Sequence, residues 1–262
     1  MPVFETPLPV AVTMELGVGH VRLHAEHRGD IGVTVVPSDM DNEADVKTAE
    51  QTLVEYGEQR LLVKAPKQRG LFGRVGSIDV TIALPHGSEL SATAREASFH
   101  GSGQLQNCRI KTSTGDVRFE ETGSLVVSTG VGDISVDRAD GPTEVTTGSG
   151  TVRIRELGGK GVLKSSNGSI VVDRACQSLE AKTANGDIRV GEVVRGVVVL
   201  GASIGQLDVG IATNTSARLD IRSVSGSIHN FMTPVDGPEP TDETAEVFAR
   251  TTVGDVSIRR SV

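Results

Sequence analysis

Four aspartates stand directly after a glycine at matching places along the chain: Asp116, Asp133, Asp187 and Asp255. Carboxylates repeated at turns are the ligands of calcium-binding β-solenoids, where side chains and carbonyls of neighbouring turns converge on one ion. That chemistry needs a glycine-rich nine-residue period, and here the period is about twice as long. Thr151, Ser169, Gln206 and Ser227 also interrupt the column. The aspartates therefore read as turn formers, and no metal is expected. His20 and His24 share one polar face of an extended segment, with Glu26 beyond. Four residues of strand hold the histidines roughly 13 Å apart, too far for a shared ion, and they read as solvated side chains.

Glu120 and Asp137 occupy equivalent places in successive repeats, about 5 Å apart if the repeats stack. Paired carboxylates are what a sugar hydrolase needs. The pairs Asp137–Arg138 and Asp173–Arg174 instead look like charged strand ends, and aromatic residues, which sugar-binding platforms favour, make up only 3% of the chain. No GxSxG, HExxH, CxxC or Walker-type loop occurs, and Cys108 has no base beside it in sequence. No catalytic residue and no cofactor is assigned.

One segment departs from its surroundings. Residues 59–76, QRLLVKAPKQRGLFGRVG, carry Arg60, Lys64, Lys67, Arg69 and Arg74 without an acid, in a chain of net charge -8. Lys67, Arg69, Leu71, Phe72 and Arg74 form a candidate contact loop for an acidic protein or an anionic membrane surface. The plainer reading is a hairpin loop whose Leu71 and Phe72 fold back on the protein. Nucleic acid is not expected, given the acidic balance and the shortage of stacking residues.

The elements that must position these residues are set by a repeat. Eight segments rise to a glycine, turn and set off again, at Gly115, Gly132, Gly150, Gly168, Gly186, Gly205, Gly226 and Gly254. Two residues after each glycine stand Val117, Ile134, Val152, Ile170, Ile188, Leu207, Ile228 and Val256. Four after stand Phe119, Val136, Ile154, Val172, Val190, Val209, Asn230 and Ile258. Five before stand Ile110, Val127, Val145, Leu163, Ala181, Leu200, Ile221 and Ala249. Strand residues two apart share a face, so these columns line one interior. A hydroxyl column three before the glycine (Thr112, Thr129, Thr147, Ser165, Thr183, Ser223, Thr251, broken by Ala202) also points inward. There it can hydrogen-bond along the stack. Arg118, Ser135, Arg153 and Arg189 face water. The glycines suit a corner with positive φ.

A unit of about 18 residues with two short strands and two turns makes a β-solenoid; a propeller blade needs about 40 or more. The fold class is all-β: a parallel β-helix-like solenoid, right-handed because parallel crossovers have that hand. Residues 1–95 read as a β-rich N-terminal cap region, continuous with the repeats of 96–262. Within the cap, LVEYGEQRLLVKAP reads as a hairpin across Gly57–Gln59, RGDIGVTVV and GSIDVTIALP as strands, and DNEADVKTAEQ as a short helix or ordered loop. The proline-rich stretch at 232–244 is a loop that leaves a turn before the final strands return. Cys108 falls in an inward column and Cys176 in a turn, two coils or more apart, which argues for a reducing compartment rather than a disulfide. The start MPVFETPLPVAVTMEL shows no charged leader, apolar run or cleavage site, and the expected location is the cytoplasm.

The serial TGDV and NGDI turns, the coils AKTANGDIRVGEV and RSVSGSIHN, and the closing EVFARTTVGDVSIRR resemble the bacterial β-strand-repeat family named "putative adhesin". The segments ETPLPVAVTMELGVGHVRL and RLLVKAP…GSIDVTIALP resemble its actinobacterial branch. The resemblance covers essentially the whole chain. It implies a solenoid of unknown biochemical role and brings no catalytic residues with it; the missing export signal argues against adhesion at a surface. The function expected is a non-catalytic scaffold or protein-interaction module with a protein partner. The alternatives are a self-assembling structural protein growing through coil ends or faces and, third, a carbohydrate-active enzyme.

Overall fold

The computed structural model describes residues 3–6, 8–66, 76–234, 237–238 and 243–261. The chain divides into two compact units, Met1–Gly132 and Asp133–Val262. Each is built of β-solenoid coils, and the only described helix is α1 in the first.

In the first unit the elements are β1 (Val3–Glu5), β2 (Ala11–Glu26), β3 (Asp30–Pro37), α1 (Glu43–Gln51), β4 (Leu53–Gly57), β5 (Arg60–Lys64), β6 (Ser77–Pro85), β7 (Glu89–Thr114) and β8 (Val117–Val131). Long β2 forms a coil by itself, bending at Gly19, and β7 lies parallel on it from Ala11↔Glu89 to His24↔Ser102. β8 continues on β7 from Phe99↔Val117 to Thr114↔Val131. On the other side of β2 lie β5 and β6, both parallel to it. Beyond them the direction reverses: β4 runs antiparallel to β5, β3 to β6 and β1 to β3. The expected hairpin is present, and of the two alternatives for the segment before it, helix or ordered loop, the chain takes the helix. Glu58 and Gln59 turn the hairpin at φ 50 and 58, the two-residue turn that matches strand twist. Helix α1 starts at Asn42, whose side chain accepts the Ala44 N–H at 3.0 Å, and it packs on β3 and β6. Buried Asp45 ties it down by accepting the N–H groups of Ser77 at 2.9 Å and Asp39 at 3.2 Å.

The second unit contains β9 (Ile134–Ala139), β10 (Thr143–Ser149), β11 (Val152–Leu157), β12 (Gly161–Asn167), β13 (Ile170–Ala175), β14 (Leu179–Asn185), β15 (Ile188–Val193), β16 (Gly196–Ile204), β17 (Leu207–Ile211), β18 (Thr215–Ser225), β19 (Ile228–Asn230), β20 (Glu243–Val253) and β21 (Val256–Arg260). They form two parallel rows. One runs β10–β12–β14–β16 and the other β9–β11–β13–β15–β17. The registers are those of the sequence columns: Val145↔Leu163↔Ala181↔Leu200 and Val152↔Ile170↔Ile188↔Leu207. Every one of these side chains is buried, while Arg153 and Arg189 are exposed and reach Asp173 at 3.1 Å and Asp208 at 3.6 Å.

The corner glycines have two reasons to be glycine. Gly168 and Gly186 sit at φ 147 and 149, outside the range of ordinary residues. A Cβ on Gly168 would also collide with the carbonyl oxygen of Gly150, and one on Gly186 with that of Gly168. The same carbonyls receive the hydroxyl column: Thr183 Oγ1 donates to Gly168 at 3.0 Å and Thr251 Oγ1 to Gly205 at 3.0 Å.

The final strands do return, but to a place inside the stack. β20 lies between β16 and β18, with Leu200↔Ala249 and Ile221↔Ala249. β21 lies between β17 and β19, with Leu207↔Val256 and Ile228↔Val256. The coil at the end of the stack is therefore β18–β19, not the last in sequence. Its composition suits that place. It carries Asn230 where the other coils carry Phe, Val or Ile, and an amide sealed between two apolar coils would lose its hydrogen bonds to water.

Ile188→Asp should unfold the central coils of this unit, because an unpaired buried charge costs several kcal/mol, about the whole stability of a domain. Arg189→Asp should be nearly silent; equal melting temperatures for the two variants would contradict the register. Gly168→Ala should destabilise by about 1–3 kcal/mol, the scale of a left-handed non-glycine residue forced against a neighbour. Denaturant titration against the parent measures it.

Candidate functional site

The repeated aspartates are occupied by the stack itself. Asp133 Oδ1 accepts the N–H of Thr151 at 2.7 Å, Asp187 Oδ1 that of Gln206 at 2.8 Å and Asp255 Oδ1 that of Ser227 at 2.7 Å. In each case the donor is the corner amide of the neighbouring coil. Serine does the same work in the column: the hydroxyls of Ser98 and Ser169 accept from Asp116 and Asp187 N–H at 3.3 Å. This is why Ser169 can stand in the place that Asp takes after other corner glycines. Among the described residues no group of three or more His, Cys, Asp or Glu could hold a metal ion.

His24 Nδ1 lies 2.9 Å from the Ser102 hydroxyl, and His20 stands exposed farther back on β2. Glu120 accepts the Gly103 N–H at 2.7 Å, and Asp137 is exposed on β9. Lys67, Arg69, Leu71, Phe72 and Arg74 lie outside the described residues; of the cations beside them, Lys64 is held by Glu15 at 2.9 Å. A groove of about 560 Å³ opens over Gly201, floored by Val199 and Phe248 and flanked by Lys182 and Arg250. Both cations are engaged. Lys182 meets Glu180 at 2.7 Å, and that hydrogen bond, with the lysine charge, holds the Glu180 carboxyl below its usual range. Arg250 reaches Asp220 at 3.5 Å.

Cys108 points inward and is buried, while Cys176 is partly exposed; both are free thiols. Burial, aided by the charge of Glu89, pushes the Cys108 thiol up from its usual 9.0 to about 12. It stays protonated and is no nucleophile.

The feature that sequence reasoning missed is the terminal coil. Among the described residues β18 pairs with β20 and β19 with β21, and no further strand pairs with either. One coil in, Val247, Val256 and Ile258 are 0% exposed. In the terminal coil, Ile228 is 47% exposed, Val224 82% and Phe231 68%. Leu219 and Ile221, which occupy the interior column, are half-buried. The Phe231 ring is stacked with His229, centroids 6.3 Å apart. The coil therefore sets a strand edge that no further described strand covers beside apolar side chains, the combination that templates another strand. The signal in sequence was Asn230 in an apolar column, with Val224 in an outward one.

The profile of the Toastrack DUF4097 family matches residues 15–261. The chain belongs to this family. Solved structures to which the chain is similar include a putative adhesin from Bacteroides fragilis, at 12% identity and TM-score 0.42, covering 98% of this chain and 96% of that one. A putative lipid binding protein from Parabacteroides distasonis follows at 14% identity and TM-score 0.46, covering 99% and 95%. A putative adhesin from Parabacteroides merdae shares 15% identity at TM-score 0.43, covering 97% and 94%. No curated protein matches this Toastrack chain.

Iodoacetamide at about pH 8 should label Cys176 and leave Cys108 unlabelled in the folded protein, since the thiolate is the reactive form. The raised Cys108 pKa also sets a direction for stability. Its contribution is complete below 9.0 and is lost as pH rises toward about 12, because the unfolded thiol ionises first. Peptide mapping after labelling, and melting curves across that range with a Cys108→Ala comparison, check both.

Proposed function

We propose that this Toastrack protein is a non-catalytic β-solenoid module that docks another polypeptide on its open terminal coil. The observation that carries the reading is the contrast across one coil spacing, from Val256 at 0% exposed to Ile228 at 47%. A coil whose interior column is built to be covered and whose edge strand is unpaired is a surface for strand addition. The carboxylates that repeat along the chain support the same reading, since they bind corner amides and leave no convergent acid and base. Filament growth is the weaker reading. It needs parallel strand edges, and in the first unit β1, β3 and β4 reverse direction while α1 packs on β3 and β6.

A photo-crosslinking residue at position 224 or 228 tests this in the native host. Irradiation should join the chain to a defined polypeptide from those positions and not from outward positions 153 and 189. No product at 224 or 228, or the same products from all four positions, would overturn docking at the terminal coil.

A further inference from the structure

We propose that the polypeptide docked on the terminal coil is a second copy of this chain, joined by antiparallel pairing of β18 with its twin about a two-fold axis through Leu219. The proposal rests on the docking reading above and names its occupant. The residues of β18 alternate: Ala217, Leu219, Ile221 and Ser223 face the interior, while Arg218, Asp220 and Arg222 face outward. In an antiparallel pair, residues directly opposite each other share a face, and like charges there are destabilising. Self-pairing about a chosen residue therefore has few acceptable centres.

A centre at Asp220 sets Asp220 against Asp220 and Arg218 against Arg222. Centres at Arg218 or Arg222 set arginine against arginine. Two centres bring opposite charges together. About Ile221, Asp220 meets Arg222 of the second copy, but Leu219 falls against Ser223 and Ala217 against Ser225. About Leu219, Arg218 meets Asp220 of the second copy, twice by symmetry. There Leu219 meets Leu219 and Ala217 meets Ile221, so the apolar column continues across the junction.

The ion pairs within the chain favour the same centre. Arg222 is already held by Asp220 at 3.3 Å, whereas Arg218 makes no ion pair among the described residues. Among the described residues, Arg218 is the cation of β18 that has no carboxylate of its own chain.

The pairing also answers a liability. An edge strand of eleven residues with no lysine or proline has only its three outward charges as protection against indiscriminate strand addition. A two-fold contact covers each copy's β18 edge with the other's, so association through this edge stops at two copies.

Sedimentation equilibrium of the purified full chain tests this. The parent should be a dimer. Arg218→Glu alone and Asp220→Arg alone should each weaken the dimer by about tenfold or more, since each places like charges opposite twice. An equal mixture of the two variants should restore it, because both junction pairs then become opposite in charge; a purely structural defect would not be rescued by mixing. Asp220→Arg also removes the contacts of Asp220 with Arg222 and Arg250, so a second measurement avoids it. In a Cys176→Ser background, Leu219→Cys lies on the axis and should form a disulfide-linked dimer under mild oxidation, while Val224→Cys should not. A parent that stays monomeric at its highest soluble concentration, a mixture that fails to restore the dimer, or equal linking from 219 and 224 would overturn the proposal. A monomeric parent that cross-links from position 224 to a different protein overturns the second copy and leaves the docking reading standing. A monomer with no cross-link at 224 or 228 overturns both.

Discussion

The structure depends on how closely one coil approaches the next at the glycine corner. Parallel strands stacked about 4.8 Å apart leave no room there for a Cβ against the carbonyl beneath. That carbonyl, at Gly150, Gly168 or Gly205, faces a glycine of the next coil and receives a hydroxyl from the same coil. The residue after the glycine binds the next corner amide with Asp or Ser. Three contacts thus converge on one corner, and any slip in register would break all of them. The ion pairs on the outer faces, such as Arg153–Asp173, are exposed and add little beside this.

The same constraint explains what occupies the repeated polar residues. A carboxylate that accepts a backbone N–H in every coil is part of the scaffold, and spacing by one coil does not make a pair of such groups an acid and a base. What remains unsatisfied is the place where the stacking stops. In the first unit the chain deals with it by reversing strand direction and laying α1 over β3 and β6. In the second unit, β18 and β19 keep a column designed for cover, and the described residues leave it open.

Much of this was legible from residue types. The alternating columns, the inward hydroxyls, the β4–β5 hairpin and the helix before it follow from period and turn chemistry, which are local. The positive φ of the corner glycines was legible too, but the collision with the neighbouring carbonyl was not, since it involves a residue a whole coil away. The terminal coil was hidden for a similar reason. RSVSGSIHN satisfies the repeat as well as its neighbours do, except at Asn230, and a single departure does not announce an end.

The sequence by itself determined the coil: its length, its inward and outward residues, its glycine corner and its membership of a solenoid. Those properties depend on contacts within about 18 residues and on the identical demands each coil makes of the next. Only the tertiary structure decided the order in which coils stack. After Asn230 the chain returns to place β20 between β16 and β18 and β21 between β17 and β19. The choice between the two possible orders lies in which coil tolerates exposure. Val247, Val256 and Ile258 gain by being sealed on both sides, while Asn230 keeps its hydrogen bonds only at the rim. That exchange, invisible to any local pattern, is what leaves Leu219, Ile221 and Ile228 at an open edge.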